Sequence, residues 1–323
     1  MAAVPAPASP AAPPRSRGAR PGVSPSRLLF FAVFLGLPLL LYLVIVVWPV
    51  AQAVYYSLTD WRGLAAAPKF IGLDNYVTLF QDPTFLKALT NNLVLLVVLP
   101  TVVIVLAFAL AVLVTVGGSS RGEIRGVRGA DFFRTVSFFP YVIPAVVVGI
   151  LFAFIYSPNG GLLNGTLGLV GLDPGIAWLG DPDFALAAIV LAVVWNLLGF
   201  YMVLFVAAIH SIPAEIVEAA RLDGCGRLRL SVRVIMPMIR ENVSTAAVYM
   251  GIVALDMFVY VQVMAPNGGT AKSAEVISRY LYQTAFFDSR FGLASAMGVV
   301  LALVTMLMAV IVLFGFRRKD ETP

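Results

Sequence analysis

The chain has 323 residues, of which 60% are hydrophobic and 12% are charged, and its net charge is +5. Soluble domains contain roughly 45–50% apolar and about 25% charged residues, so this composition excludes an ordinary soluble protein and indicates an all-α polytopic membrane protein. With one cysteine and one histidine the chain cannot form an internal disulfide, and we expect it to bind no metal or other cofactor.

Six apolar runs of about 20 residues, the length that crosses a bilayer as a helix, follow a tail at residues 1–26. That tail is rich in Ala, Pro and Arg and is expected to be disordered. The first run is too long for the core of a cleavable signal, and no small-residue cleavage site clearly follows it. The predicted membrane-spanning helices cover residues 28–50, 90–116, 133–156, 185–208, 243–264 and 292–315.

Lysine and arginine are unevenly divided between the loops. Six spans place both termini on one side, and that side carries 16 of these residues against 6 on the other. The positive-inside rule therefore predicts that both termini and the loop at 209–240 are cytoplasmic. Because the basic residues are split among short loops, they form no surface for nucleic acid.

A polar segment at residues 211–240, between the fourth and fifth spans, is not built like a simple connecting loop. Pro213 has its φ already set for the start of a helix, and the residues up to Leu222 favour about two to three helical turns. Asp223-Gly224 predicts the end of that helix, because Gly224 can adopt a positive φ. Small apolar side chains share one face of it, at Ile216, Ala219 and Ala220. An ordinary amphipathic helix at the membrane surface is the alternative interpretation.

The same segment resembles the EAA motif of the membrane subunits of binding-protein-dependent ABC importers. In that family, Glu-Ala-Ala and two further residues precede Asp-Gly-Ala, and a Pro follows about a dozen positions on. The matching residues are Glu218, Ala219, Ala220, Asp223, Gly224 and Pro237. Cys225, Ser231 and Val234 depart from the usual Ala, Phe and Ile. The resemblance implies that residues 212–224 form a cytoplasmic coupling helix, which inserts into a cleft of a separate ATPase.

Other motifs are similar to the sugar-type permeases of the maltose and glycerol-3-phosphate importer class. They are YYSLTDW from Tyr55, FIGLDNY from Phe70, WLGDP from Trp178 and FGLASA from Phe291. Asn91-Asn92 departs from this class, in which Asn-Thr is usual. The resemblance implies the type I ABC importer permease fold in the inner or plasma membrane. It also implies two ABC ATPase subunits, a second permease subunit that is a different chain, and an extracytoplasmic solute-binding protein as partners. On this interpretation, the chain divides into a tail at 1–26, a first helix with its outer loop at 27–87, a transmembrane domain at 88–316 and a tail at 317–323.

The energy source cannot lie in this chain. A phosphate-binding P-loop needs Gly-Lys, and none of the four lysines follows a glycine. We therefore expect no enzymatic activity here, with ATP hydrolysed by a partner. One acidic residue, Asp256, falls inside a predicted span, where a charge costs roughly 2.5–3.5 kcal/mol. It either lines a cavity or is paired, and a lone carboxylate gives proton coupling little support.

A sugar is held by aromatic rings that stack on it and by amides or carboxylates that bond its hydroxyl groups. The fourth and fifth spans supply candidates for this pathway at Trp195, Asn196, Tyr201, Tyr249, Asp256, Tyr260 and Gln262. For each aromatic residue, helix packing or a place in the interfacial belt is the alternative.

These features predict a permease subunit that moves a sugar or related polyol across the cell membrane by alternating access. A stand-alone facilitator or an ion-coupled secondary transporter is the alternative, although such a protein would not need an EAA segment. A membrane enzyme has less support, because no set of His, Ser and acidic residues stands out at membrane depth.

Overall fold

Helices form most of the structure, a computed structural model that describes residues 29–63, 67–116, 129–172 and 175–316. The chain divides into two compact units, residues 1–52 and 53–323. The tails predicted at 1–26 and 317–323 lie outside the described residues, as do three of the arginines on the predicted cytoplasmic side, Arg121, Arg125 and Arg128.

The helices are numbered in chain order, and short turns join several of them. They are α1 (Leu29–Ser57), α2 (Asp74–Gln81), α3 (Pro83–Val116), α4 (Ala130–Val142), α5 (Ala145–Ile155), α6 (Leu162–Leu169), α7 (Ala185–His210), α8 (Ala214–Leu222), α9 (Arg227–Leu230), α10 (Met236–Met238), α11 (Arg240–Leu255), α12 (Phe258–Met264), α13 (Ile277–Phe286) and α14 (Phe291–Phe316). A π-helical turn, Ser231–Ile235, joins α9 to α10.

The N-terminal unit consists, within the described residues, of the first part of α1. Every side chain from Leu29 to Ala51 is exposed, and nearly all of them are apolar. A helix that is apolar on all sides is typical of a membrane span, because lipid hydrocarbon can surround it.

The structure has six spans when the two helices of each bent pair are taken together as one span. Four helices, α1, α3, α7 and α14, are long and apolar enough to cross a bilayer without a break. The other two spans are the pairs α4–α5 and α11–α12, which bend by 98° and 43°. The predicted all-helical membrane fold is confirmed, and each predicted span has its counterpart.

The third and fifth spans are interrupted, which the apolar pattern alone does not show. In the third span α4 ends at Val142, and Pro144 has no N–H to donate to the Pro140 carbonyl. In the fifth span Asp256 and Met257 separate α11 from α12, and Asp256 leaves the helical region with a ψ of 59°.

Helix α7 lies at the centre of the second unit. It packs against α3 and α4, while α11 packs against both α3 and α14. Of the residues in the most apolar part of each helix, 56% are buried in α7 and 17% are buried in α14. Helix α7 therefore forms the core of the bundle and α14 lies at its edge.

Gly199 lets α4 and α7 approach closely, and we expect Gly199→Ala to destabilise the protein. A Cβ at this position would lie 1.7 Å from the Ser137 carbonyl oxygen, a backbone atom that cannot turn away. Overpacking of this kind typically costs about 1–3 kcal/mol, so the melting temperature in detergent should fall by several degrees. The control is Gly36→Ala in α1, where the nearest atom lies at 3.9 Å. Equal melting temperatures for the two variants would show that α4 moves away freely.

Candidate functional site

Helix α8 has the beginning and the end that the sequence predicts, with one small difference. Pro213 is the residue before the first helical turn, with an extended ψ of 131°, and Ala214 begins the helix. At the other end Gly224 has a φ of +78°. The Cys225 N–H donates to the Ala220 carbonyl and the Gly224 N–H donates to the Arg221 carbonyl, both at 3.0 Å. These two bonds define a Schellman motif, which ends the helix sharply.

One side chain of α8 is fully buried, and it attaches the helix to the rest of the protein. Val217 is buried in the main apolar core, and Ala220 and Cys225 pack against that core. The face predicted from Ile216, Ala219 and Ala220 is therefore divided, because Ala220 turns partly inward.

The free face of α8 carries exposed apolar side chains. Ile216 and Ala219 are exposed, and Leu222, which the sequence analysis did not single out, is 88% exposed. Glu215 in the first turn and Arg221 in the last turn complement the helix dipole. Exposed apolar groups on a short polar segment are suited to a cleft in another protein.

The remaining motif residues lie on α8 or just beyond it. Glu218 is half-buried, Asp223 is exposed, and Pro237 lies exposed on α10 after the π-helical turn. Ser231, which replaces the usual Phe, is buried and its Oγ donates to the Arg227 carbonyl at 2.8 Å. The Ser231 hydroxyl therefore has its hydrogen-bond partner in the preceding helical turn, and the departure from the family pattern leaves no unpaired polar group.

Three of the pathway candidates are buried, and two of them bond to each other. Asn196 Nδ2 donates at 2.5 Å to the Pro140 carbonyl, which also accepts the Ile143 N–H and to which Pro144 has no N–H to donate. The Tyr260 hydroxyl donates to Asn196 Oδ1 at 2.6 Å. Tyr201 is also buried and packs edge-on against Phe200. Asn196 thus joins the interrupted third span, the fourth span and the second half of the fifth span.

The other four candidates are less enclosed than these three. Trp195 is partly exposed beside Phe152, and Tyr249 is 61% exposed. Asp256 lies at the interruption of the fifth span with its side chain exposed, and within the described residues it forms no ion pair. Gln262 is half-buried, and its Oε1 is buried with no hydrogen-bond partner in the described part of the chain.

Sequence reasoning did not assign a role to the Asn91-Asn92 pair of α3. Asn91 Nδ2 donates to the carbonyls of Ser273 and Glu275, at 2.9 and 2.8 Å. Asn92 bonds elsewhere, to the end of α11 and the start of α13. Both side chains are buried. Two adjacent amide side chains in an apolar helix indicate hydrogen-bonded positions, because polar groups inside a membrane span need partners.

Two neighbouring motifs near the first span meet a third that lies far along the sequence, in a place that we call the loop cluster (Tyr56, Trp61, Asn75 and Phe291). The Trp61 ring stacks on Tyr56 at 4.2 Å and lies 5.2 Å from Phe291. Asn75 Nδ2 donates to the carbonyls of Ser57 and Thr59, both at 2.8 Å. The cluster therefore fixes the loop after α1 against α2 and the start of α14.

A small polar cavity adjoins the loop cluster. It carries charges of both signs, from Asp60, Asp74, Arg62 and Arg290. Nearby, the Tyr280 hydroxyl donates to Asp82 and ties α13 to the start of α3. Burial, and then this bond, raise the pKa of Tyr280 above its ordinary value, so the hydroxyl keeps its proton across the physiological range.

The chain matches a family model and is similar in sequence to known permease proteins. Residues 114–319 match the family model described as the binding-protein-dependent transport system inner membrane component. The diacetylchitobiose uptake system permease protein of Streptomyces coelicolor is 48% identical over 304 residues, covering 93% of this chain and 86% of the relative. A probable ABC transporter permease protein of Bacillus subtilis is 35% identical, covering 88% of this chain and 95% of the relative.

The fold is also similar to a solved structure of a bacterial ABC transporter that imports the acidic polysaccharide alginate. The TM-score is 0.76 at 24% identity, with 92% of this chain and 97% of that chain covered. The type I importer permease fold is thereby confirmed. The chain belongs to the family of binding-protein-dependent transport system inner membrane components.

Proposed function

We propose that this chain is the permease subunit of a sugar importer, and that α8 is the helix through which a separate ATPase drives it. The observation that carries this proposal is α8 itself, with its exposed apolar face and its sharp end at Gly224. Membership of the importer family supports it. ATP hydrolysis then takes place on two partner subunits, because this chain has no phosphate-binding loop.

Each motif residue has a separate role in the coupling of α8 to the ATPase. Val217 anchors α8 to the core, while Glu218, Ala219 and Ala220 lie at or beside the surface offered to the ATPase. Asp223 and Gly224 end the helix, and Pro237 begins the approach to the fifth span. Because its end is fixed by two backbone bonds, α8 moves as a rigid element when the ATPase closes.

The substrate that we propose is a small oligosaccharide. A relative that is 48% identical is a diacetylchitobiose permease protein, so N-acetylated disaccharides are the first compounds to test. Asp256, Tyr249, Trp195 and Gln262 offer the carboxylate, rings and amide that such a ligand requires. The three buried candidates support the wall of the pathway and do not contact the substrate; they are Asn196, Tyr201 and Tyr260.

The loop cluster is our proposed docking surface for the extracytoplasmic binding protein. It is ordered by its own hydrogen bonds, and its polar cavity can receive side chains of either charge. This assignment places α8 and both termini in the cytoplasm, in agreement with the distribution of arginine. A second permease chain completes the pathway, and the division at residues 27–87 and 88–316 remains part of the proposal.

Glu218→Lys is expected to reduce the ATPase that copurifies with the chain by at least fivefold. The substitution reverses the charge beside Arg221 on the surface offered to the partner, so a group that pairs with the Glu218 carboxylate would instead meet two cations. Affinity purification in mild detergent, with the ATPase quantified by mass spectrometry, measures this. The control is Asp183→Lys, which reverses an exposed carboxylate before α7 on the side proposed to face outward. Full recovery of the ATPase with Glu218→Lys would contradict the role of α8.

A further inference from the structure

Two adjacent asparagines of α3 reach two different parts of the protein. Asn91 binds the carbonyls of Ser273 and Glu275, which belong to the loop between α12 and α13. Asn92 Oδ1 accepts the Ile277 N–H at 2.8 Å, and its Nδ2 lies 3.3 Å from the carbonyls of both Ala254 and Leu255. The pair therefore connects this loop to the end of α11.

The carbonyls bound by Asn92 are those that the interruption leaves free. In a continuous helix, Ala254 and Leu255 would accept from residues 258 and 259. Asp256 and Met257 lie outside any helical turn, so these donors are lost. A buried carbonyl without a partner is costly, and the Asn92 amide supplies the missing hydrogen bonds. Asp256, the exposed acid of the proposed pathway, is the next residue along the chain.

The loop itself is stiff. Glu275 is fully buried and pairs with buried Arg279, while a Cβ on Gly268 would lie 2.3 Å from the Glu275 carboxylate. Asn267, Ala271 and Lys272 have positive φ values between 52° and 61°, which non-glycine residues adopt only when their surroundings hold them. A loop held in this way moves as one piece and carries its bonded neighbours with it.

We propose that Asn92 is a positioning residue that links this loop to the interruption beside Asp256. A displacement of the loop on docking of the binding protein is then transmitted to the substrate pathway. The inference rests on the proposed function, because it assigns the loop to the outer side and Asp256 to the pathway. Asn92 touches no substrate and acts only through the backbone of residues 254, 255 and 277.

The matched variants are Asn92→Val and Asn92→Thr, which have the same shape and differ by one hydroxyl. The Thr hydroxyl can accept the Ile277 N–H and donate to one carbonyl, whereas Val can do neither. The complex is purified with its ATPase and binding protein from native membranes and reconstituted into proteoliposomes. ATPase activity is then measured against the concentration of binding protein loaded with diacetylchitobiose.

With Asn92→Val we expect the maximal stimulated rate to fall at least tenfold. The half-saturating concentration of binding protein and the basal rate should stay within twofold, since docking and hydrolysis do not involve Asn92. Asn92→Thr should retain at least half of the stimulated rate. The control is Thr90→Val, which removes an exposed hydroxyl bonded only to the preceding turn of α3 and should behave as the wild type.

Two results would overturn the link while leaving the proposed function intact. One is a normal stimulated rate in Asn92→Val, and the other is an equal loss of basal and stimulated rates, which indicates a merely structural role. If Asn92→Val fails to assemble, hydrogen exchange on the wild-type complex decides the question. Docking must then change protection at residues 273–277 and 254–258 together, and a change at 273–277 alone overturns the link. If the wild type shows no stimulation, the proposed function fails and this inference fails with it.

Discussion

Gly224→Val is expected to lower ATP-driven uptake at least tenfold while the chain still inserts into the membrane. Gly224 has a φ of +78°, and a Cβ there would meet no atom within 4 Å. The effect therefore comes from the backbone alone. The left-handed conformation costs an L-residue roughly 1–2 kcal/mol, and a β-branched residue more. The Schellman motif that fixes the end of α8 should open, so that α8 no longer transmits the closing motion.

The matched control for this variant lies two residues away. Gly226 is also exposed with nothing within 4 Å of its Cβ, but its φ is −66°, which valine adopts without strain. Uptake and substrate-stimulated ATP hydrolysis are measured for both variants in proteoliposomes. Equal activity of Gly224→Val and Gly226→Val would show that the turn at Gly224 is not required for coupling.

Asp256→Ala is expected to reduce transport at least tenfold while leaving assembly with the partners unchanged. The carboxylate is exposed at the interruption of the fifth span and has no ion pair within the described residues. Its removal should therefore leave no buried charge unpaired, so stability should be retained. A ligand hydroxyl, by contrast, would lose a charged acceptor, and hydrogen bonds of that type are worth about 1.5–3 kcal/mol.

Asp256→Asn removes the charge but keeps a hydrogen-bond acceptor, so it separates the two effects. We expect this variant to keep part of the uptake activity. Glu241→Ala is the control, because Glu241 is an exposed acid in the first turn of α11, the helix that ends just before Asp256. Uptake of labelled diacetylchitobiose is compared at matched amounts of assembled complex. Normal uptake by Asp256→Ala would remove this residue from the pathway.

The parts of the structure that sequence reasoning predicted well are those fixed by local chemistry. Helix α8 begins beside Pro213 because proline fixes its own φ, and it ends at Gly224 because glycine can adopt a positive φ. The apolar runs likewise predict the spans, since crossing a bilayer demands length and hydrophobicity only. Neither prediction needs knowledge of a distant contact.

The interruptions of the third and fifth spans could not be predicted in the same way. Proline is an ambiguous signal in a membrane helix, as Pro100 lies inside continuous α3 whereas Pro144 separates α4 from α5. What distinguishes them is the environment, because the Asn196 amide donates to the Pro140 carbonyl, which also accepts the Ile143 N–H and lacks the helical donor that Pro144 cannot supply. At Asp256 the corresponding partner is Asn92, more than 160 residues away in sequence. Bonds at such separations are set by packing of the bundle.

The central claim is that this chain works with a separate ATPase, and recovery of its partners tests it most directly. The chain is tagged at its C-terminus, purified in mild detergent from its native membranes, and the bound proteins are identified by mass spectrometry. We predict recovery of an ATPase with a phosphate-binding loop together with a second permease chain. Recovery of the chain alone, if it still transports sugar after reconstitution into proteoliposomes, would contradict the claim and indicate a facilitator.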